Sequence, residues 1–517
     1  MLSAITGSLP GLVRRFSPRR VGPRNSSPRN VSPRRFRTRR VGPSSFSPCR
    51  IIPRRFRTRV PTLTFSFSLA LTLALTLALS TALPGEARGQ TDDEKTVTAI
   101  FSERLTSGEM YYLLEDLSKN IGPRLSGSEG AERAVAWAKE VMESYGFDRV
   151  YLQEVMVPHW ERGEPEQVRI VNVNEGMIEL SALAIGGSVP TEPVGLTAPV
   201  VVVHSLEEVE ELGREAVEGK IVFYNRRFDQ TVISTGPGYG GAVDQRTAGP
   251  SQAARFGAVG VVIRSAGSDF GDAPHTGGLR YLEDVERIPA AALGYQSADR
   301  LERALEEQPE AMLYMRLASK WHPDALSHNV IGEIRGSERP DEIILVGGHL
   351  DSWDVAEGAH DDGAGVVHSI GVLRTFQKLG IRPRHTIRAV LFMNEENGLR
   401  GGLKYAEVAK ETGENHLIAL ESDAGGFTPR GFGVSADDDV IERFRSWLPL
   451  FPQNTISYIN RGGGGADIGP LRRETGTPTI GFNPDSQRAF DYHHATTDVF
   501  EAVNRRELEL GGASIAT

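Results

Sequence analysis

The first sixty residues contain no aspartate, glutamate or lysine, and the only cysteine of the 517-residue chain, Cys49, lies among them. A single thiol excludes an internal disulfide framework and a thiolate metal cluster, and no cysteine nucleophile is available after residue 49. There is no Gly-x-Ser-x-Gly nucleophile elbow either, which suits chemistry without a covalent serine intermediate. After residue 83 no stretch reaches the roughly 20 consecutive apolar residues needed to cross a bilayer. The sixteen arginines of residues 1–60 sit in a chain whose net charge is −9, so the remainder is strongly anionic. A body of that sign repels nucleic acid and anionic lipid.

The basic leader, residues 1–59, is a repeat. RRF recurs at 14, 34 and 54, RRVGP at 19 and 39, and RRFRTR at 34 and 54. Arg, Pro and Ser cannot bury a core, and disorder is the expectation. Residues 60–88 open with VPTLTFSFSLALTLALTLALSTAL and turn polar at PGEARGQTDDEK. A basic flank, an apolar core and small residues describe a secretory signal peptide, which places the mature chain outside the cytoplasm, secreted or periplasmic, with no stable membrane insertion. A membrane anchor is the alternative if the segment stays uncleaved.

Residues 95–188 begin with two helical patterns, SGEMYYLLEDLSKNIG and GSEGAERAVAWAKEVMESYGF, followed by alternating strand patterns. Residues 189–316 carry short buried strands, short helices and a Gly-rich stretch, STGPGYGGAVDQ, expected as a loop; they read as an inserted lobe. Residues 317–517 alternate strand, loop and helix. That alternation predicts an α/β fold with an open, mostly parallel sheet flanked by helices, in which ligands bind beyond the carboxyl ends of the strands.

The titratable residues collect at those ends. His349 and Asp351 close EIILVGGHLD, Glu395 and Glu396 close AVLFMNEE, and Asp423 follows LIALES. Asp361 and Asp362 stand side by side before a helix, and YHHATTD supplies His493 and His494. Adjacent carboxylates repel unless a cation neutralises them. Imidazole plus carboxylate without thiolate suits Zn²⁺, or less often Mn²⁺ or Co²⁺, and disfavours Ca²⁺ and Mg²⁺.

GGHLDSWDVAEGAHDDGAG, NEENG, ESDAGG and YHHATTD resemble, in order and spacing, the zinc exopeptidase family of the dizinc aminopeptidases and carboxypeptidase Q-like enzymes. The resemblance runs from about residue 95 and includes the lobe, which resembles a protease-associated domain. It implies two co-catalytic zinc ions and a peptide substrate. His349 and Asp423 would hold one ion, Glu396 and His494 the other, and Asp361 would bridge them. His494 is preferred to His493 because the family's ligand stands four residues before an Asp, here Asp498. Glu395 would be the general base, and Asp351 would accept the second N–H of His349. The bond between Asp361 and Asp362 tends to be cis in the family. A metal-activated water then hydrolyses the peptide bond with no covalent intermediate. Two other readings share the pattern: a non-catalytic binding module of the same fold, and an aminoacylase-type hydrolase. The resemblance leaves the oligomeric state open, with a homodimer as one option.

Overall fold

The structure is a computed structural model that describes residues 90–517; the expected leader and signal segments lie outside the described residues. Two eight-stranded sheets organise the described residues. The first runs in the order Arg149–Glu161, Lys320–Ile334, His385–Phe392, Arg339–His349, Asn415–Glu421, Thr479–Pro484, Pro429–Ser435, Tyr458–Arg461. Its four middle strands, His385–Phe392 to Thr479–Pro484, are parallel neighbours. Antiparallel pairings flank them on both sides. His385–Phe392 is buried at every position after the first, as expected of a strand covered on both faces.

Helices cover both faces. Ala364–Leu379 joins Arg339–His349 to His385–Phe392, and its Val366 and Ile370 pack with Val97, Phe101 and Ala513 from the first and last described helices. On the other face, Tyr405, Ala406 and Ala409 of helix Arg400–Thr412 pack on Leu345 and Val390. Start and stop signals act as their chemistry requires. Thr91 and Glu94 form a capping box, Ser128 caps helix Glu129–Ser144, and Gly380 and Gly413 close their helices at positive φ.

The second sheet runs Gly176–Leu180, Gln167–Val173, Met312–Arg316, Leu196–Val203, Ile221–Tyr224, Gly260–Arg264, Ala290–Leu293, Ala182–Ala184. It therefore takes in strands ahead of residue 189, where sequence patterning placed the lobe's start. An alternating stretch such as QVRIVNV shows that it forms a strand but not which sheet it joins, because pairing is non-local. The Gly-rich stretch differs too: it holds two short helices, Thr235–Gly240 and Asp244–Thr247, rather than an open loop. Tertiary contacts of Tyr239 and Arg246 outweigh the poor helix propensity of glycine there. Among the described residues no helix is long and apolar enough to cross a membrane.

Candidate metal centre

Three parallel strands end on one edge of the first sheet, and each delivers its polar residues there. His349 is the last residue of its strand; Asn394, Glu395 and Glu396 turn just after Phe392; Asp423 follows Glu421 by two. The turn Ala359–Gly363 supplies Asp361, and the segment after helix Ala489–Tyr492 supplies His493 and His494. Close approach is built in with glycine. A Cβ on Gly365 would lie 1.9 Å from the Ser422 carbonyl and 2.2 Å from Asp362 Oδ2, so only glycine lets this helix reach the strand ends.

Asp361 sits at the middle. Its Oδ1 is 3.2 Å from His349 Nε2, and its Oδ2 is 3.3 Å from His494 Nε2. His349 Nε2 is also 3.4 Å from Asp423 Oδ1, and His494 Nε2 is 3.1 Å from Glu396 Oε2. His493 stacks on His494 and stands further off, with Nε2 at 3.8 Å from Asp361 Oδ2. The structure thus gathers His349, Asp423, Asp361, Glu396 and His494 into two groups that share one carboxylate.

Asp351 acts differently from the expectation. The atom facing His349 Nδ1 is the Asp351 backbone carbonyl at 2.9 Å, whereas its carboxylate is 3.8 Å away. The carboxylate instead accepts the backbone N–H groups of Asn394 (2.7 Å), Glu395 (3.0 Å) and Glu396 (3.4 Å). Two atoms of Asp351 thus divide two contacts: the carbonyl meets the imidazole and the carboxylate holds the Glu–Glu turn.

Other residues brace the centre. The peptide bond between Asp361 and Asp362 is cis. Asp362, fully buried, accepts the N–H groups of His349 and Gly365. Asp498 accepts those of His360 and Asp361. Arg124, also fully buried, donates to the carbonyls of Leu350, Glu357 and Gly358 and so shapes the loop between His349 and Asp361. Glu421 and Asp467 lie behind the site, and the Glu421 carboxylate occupies the space that a Cβ on Gly465 would take. Of these residues, Arg124 and Asp467 carried no signal in the sequence.

The electrostatics test whether this donor set fits a cation. Burial lifts Glu395 well above the carboxylate range, with Asp423, Glu396 and Asp351 adding to it against the opposing pull of His349. Burial and then Asp361 raise Glu396 to about 7, and burial and then Asp423 raise Glu421 to about 7. Burial opposes charging His494, yet Glu396 and Asp361 hold its proton up to about 10. Glu396 Oε1 is buried with no hydrogen-bond partner, as are both carboxylate oxygens of Asp467. So many carboxyl groups at such close range, with bare lone pairs, ionise together only when cations neutralise them. The residues fit divalent ions.

A cavity of about 510 Å³ opens onto the centre, lined by Glu395, Glu396, Asp361 and His494 from the sheet edge and by Tyr239, Arg246 and Arg280 from the second sheet's side. A second, of about 480 Å³, meets Asp361 and Asp423 from across Tyr239 and His493. A further cavity, of about 750 Å³, surrounds Arg388, Glu333 and Glu414 at the opposite strand ends and is lined by no candidate ligand. Residues of the second sheet's connections also hold the histidine segment. His275 Nδ1 lies 2.7 Å from the His493 carbonyl, the Thr276 N–H donates to the His494 carbonyl (2.9 Å), and Arg246 Nη1 lies 3.3 Å from His494 Nδ1. Trp353 is buried with its ring edge-on to His494.

The signature of peptidase family M28 matches residues 329–516, a span that contains every candidate residue. Carboxypeptidase Q of Bos taurus is 34% identical over 403 residues, which is 78% of this chain and 83% of that protein. A solved peptidase M28 precursor from Shewanella amazonensis SB2B is 35% identical, with a TM-score of 0.77 over 82% of this chain and 95% of its own. The chain belongs to peptidase family M28. A zinc aminopeptidase from Bacillus subtilis, 20% identical, shares the M28 fold at a TM-score of 0.57 over 78% of this chain and 93% of its own. As an M28 peptidase the chain combines the family's α/β sheet with the second sheet described above.

Proposed function

We propose that this M28 peptidase is an exported dizinc exopeptidase acting on short peptides or dipeptides. The observation that carries the reading is Asp361, whose two oxygens face two separate imidazole–carboxylate groups at 3.2 and 3.3 Å. His349 and Asp423 would hold one ion, Glu396 and His494 the other, with Asp361 between. His494 is favoured over His493 because it is nearer to both Asp361 and Glu396. When bound, a pair of zinc ions lowers the pKa of water and polarises a carbonyl. Glu395, partly exposed on the cavity wall, takes the water's proton and returns it to the departing amine. Asp351 fixes where that carboxylate stands by holding its backbone N–H. Arg280, exposed on the same wall, supplies a cation for a substrate carboxylate. The second sheet corresponds to the protease-associated insertion, and residues 60–88 to the export signal.

A binding module of this fold would have no use for Glu395 beside the ligand group, and M28 membership replaces the aminoacylase alternative. The test is a panel of dipeptides with free and blocked termini, assayed with and without a chelator, alongside Glu395→Gln. That variant is expected to keep its zinc and lose several orders of magnitude in kcat, because it removes only the base. Full activity in chelator, or in the zinc-loaded variant, overturns the reading.

A further inference from the structure

We propose a third divalent-cation site, distinct from the catalytic centre, formed by His159, Glu161 and His322 where the chain crosses between the two sheets. Arg149–Glu161 and Lys320–Ile334 pair antiparallel, with His159 opposite His322 and Glu161 opposite Lys320. Directly opposed residues, and residues two apart on one strand, share a face of the ladder. His159, His322 and Glu161 therefore point to the same side. One nitrogen from each ring and one Glu161 oxygen lie within 4.8 Å of one another.

The spacing suits a metal. Ligand atoms bound at about 2.0–2.2 Å around a tetrahedral ion lie about 3.3–3.6 Å apart. Glu161 Oε1 is 3.5 Å from His159 Nε2, and Oε2 is 3.1 Å from His322 Nε2. The imidazoles stack at 4.5 Å, so a small rotation of either ring closes the third edge. His322 Nε2 is buried and makes no well-aligned hydrogen bond, and Glu161 turns to the imidazoles rather than pairing with Lys320 across the ladder. All three side chains are partly open to solvent, which gives an ion access and a water its fourth position. Two imidazoles and a carboxylate suit Zn²⁺ and disfavour Ca²⁺ and Mg²⁺.

The location gives the site a consequence. Glu161 is the last residue of its strand before the second sheet begins at Gln167, and Lys320 follows that sheet's Met312–Arg316 strand. An ion here ties the outgoing and returning crossings together. Trp321, next to His322, lines the catalytic cavity and donates to the Gly187 carbonyl at 3.1 Å. Arg162, next to Glu161, clamps Asp354 in the loop between His349 and Asp361. Occupancy therefore restrains the lobe against the centre.

The test uses the full chain, stripped of metal and dialysed against graded Zn²⁺, with zinc per chain measured by elemental analysis. Wild type is expected to bind one more equivalent than His159→Gln/His322→Gln, and Glu161→Gln to hold that equivalent at least tenfold more weakly. Asp361→Ala, which empties the catalytic pair, is expected to retain it, so failure of this site and failure of the dizinc reading are separable. In that background Zn²⁺ should slow amide exchange across 161–167 and 316–322. Equal zinc content in wild type and the double variant at every concentration overturns the site. Exchange unaffected by zinc overturns the restraint.

Discussion

Asp351→Asn separates two accounts of the same residue. If the carboxylate oriented His349, the change would disturb the ion proposed for His349 and Asp423. The geometry instead gives that task to the Asp351 carbonyl, 2.9 Å from His349 Nδ1, which the substitution leaves in place. What changes is the acceptor for three backbone N–H groups, at 2.7, 3.0 and 3.4 Å. An asparagine oxygen can serve Asn394 and Glu395 without charge, while its NH₂ faces the Glu396 N–H, donor against donor. Losing charge assistance and leaving one buried donor unpaired costs about 1–3 kcal/mol. If that cost falls on the position of Glu395 in the transition state, kcat/KM drops about 5- to 150-fold, at 1.36 kcal/mol per decade. The assay measures kcat/KM on a free dipeptide beside zinc affinity by chelator competition. Affinity of the His349 group should stay within a few-fold of wild type. Loss of that ion with undiminished turnover of fully loaded enzyme would refute the division of labour.

Asp361→Ala should release both catalytic ions, seen as loss of chelator-sensitive zinc and of activity; near-normal turnover would contradict its place between the groups. His275→Ala removes the hydrogen-bond partner of the His493 carbonyl, a loss of about 0.5–1.5 kcal/mol, so zinc at the Glu396–His494 group should weaken roughly 2- to 12-fold, read by the same competition assay. Burial depresses His368 to about 4, with the Leu508 carbonyl opposing. Its folded pKa therefore lies below the unfolded value, so stability is complete above about pH 6.5 and is lost as pH falls toward about 4, by up to about 3 kcal/mol. Urea midpoints across that window should fall less steeply in His368→Gln than in wild type.

The parts of the centre legible in sequence are those written in contiguous residues. GGHLD, NEE and ESD each end a strand, so periodicity locates their edge, and parallel pairing then brings the edges together. The bracing groups are written elsewhere. Arg124 lies far ahead of the loop it shapes, and His275 and Arg246 come from the other sheet. Asp467 and Glu421 read in isolation like surface acids, and only packing shows them buried. The atom-level role of Asp351 was equally out of reach, since spacing cannot tell a carbonyl from a carboxylate. The lobe's early strands were missed for a related reason: alternation reveals a strand but not its partner.

The hydrogen bonds from His275 and Thr276 to the histidine segment tie together distant parts of the chain: the His493 carbonyl is held by a residue 218 positions ahead of it. A chain without the second sheet would lose more than one wall of the cavity. It would lose the shelf on which the His493–His494 segment is mounted.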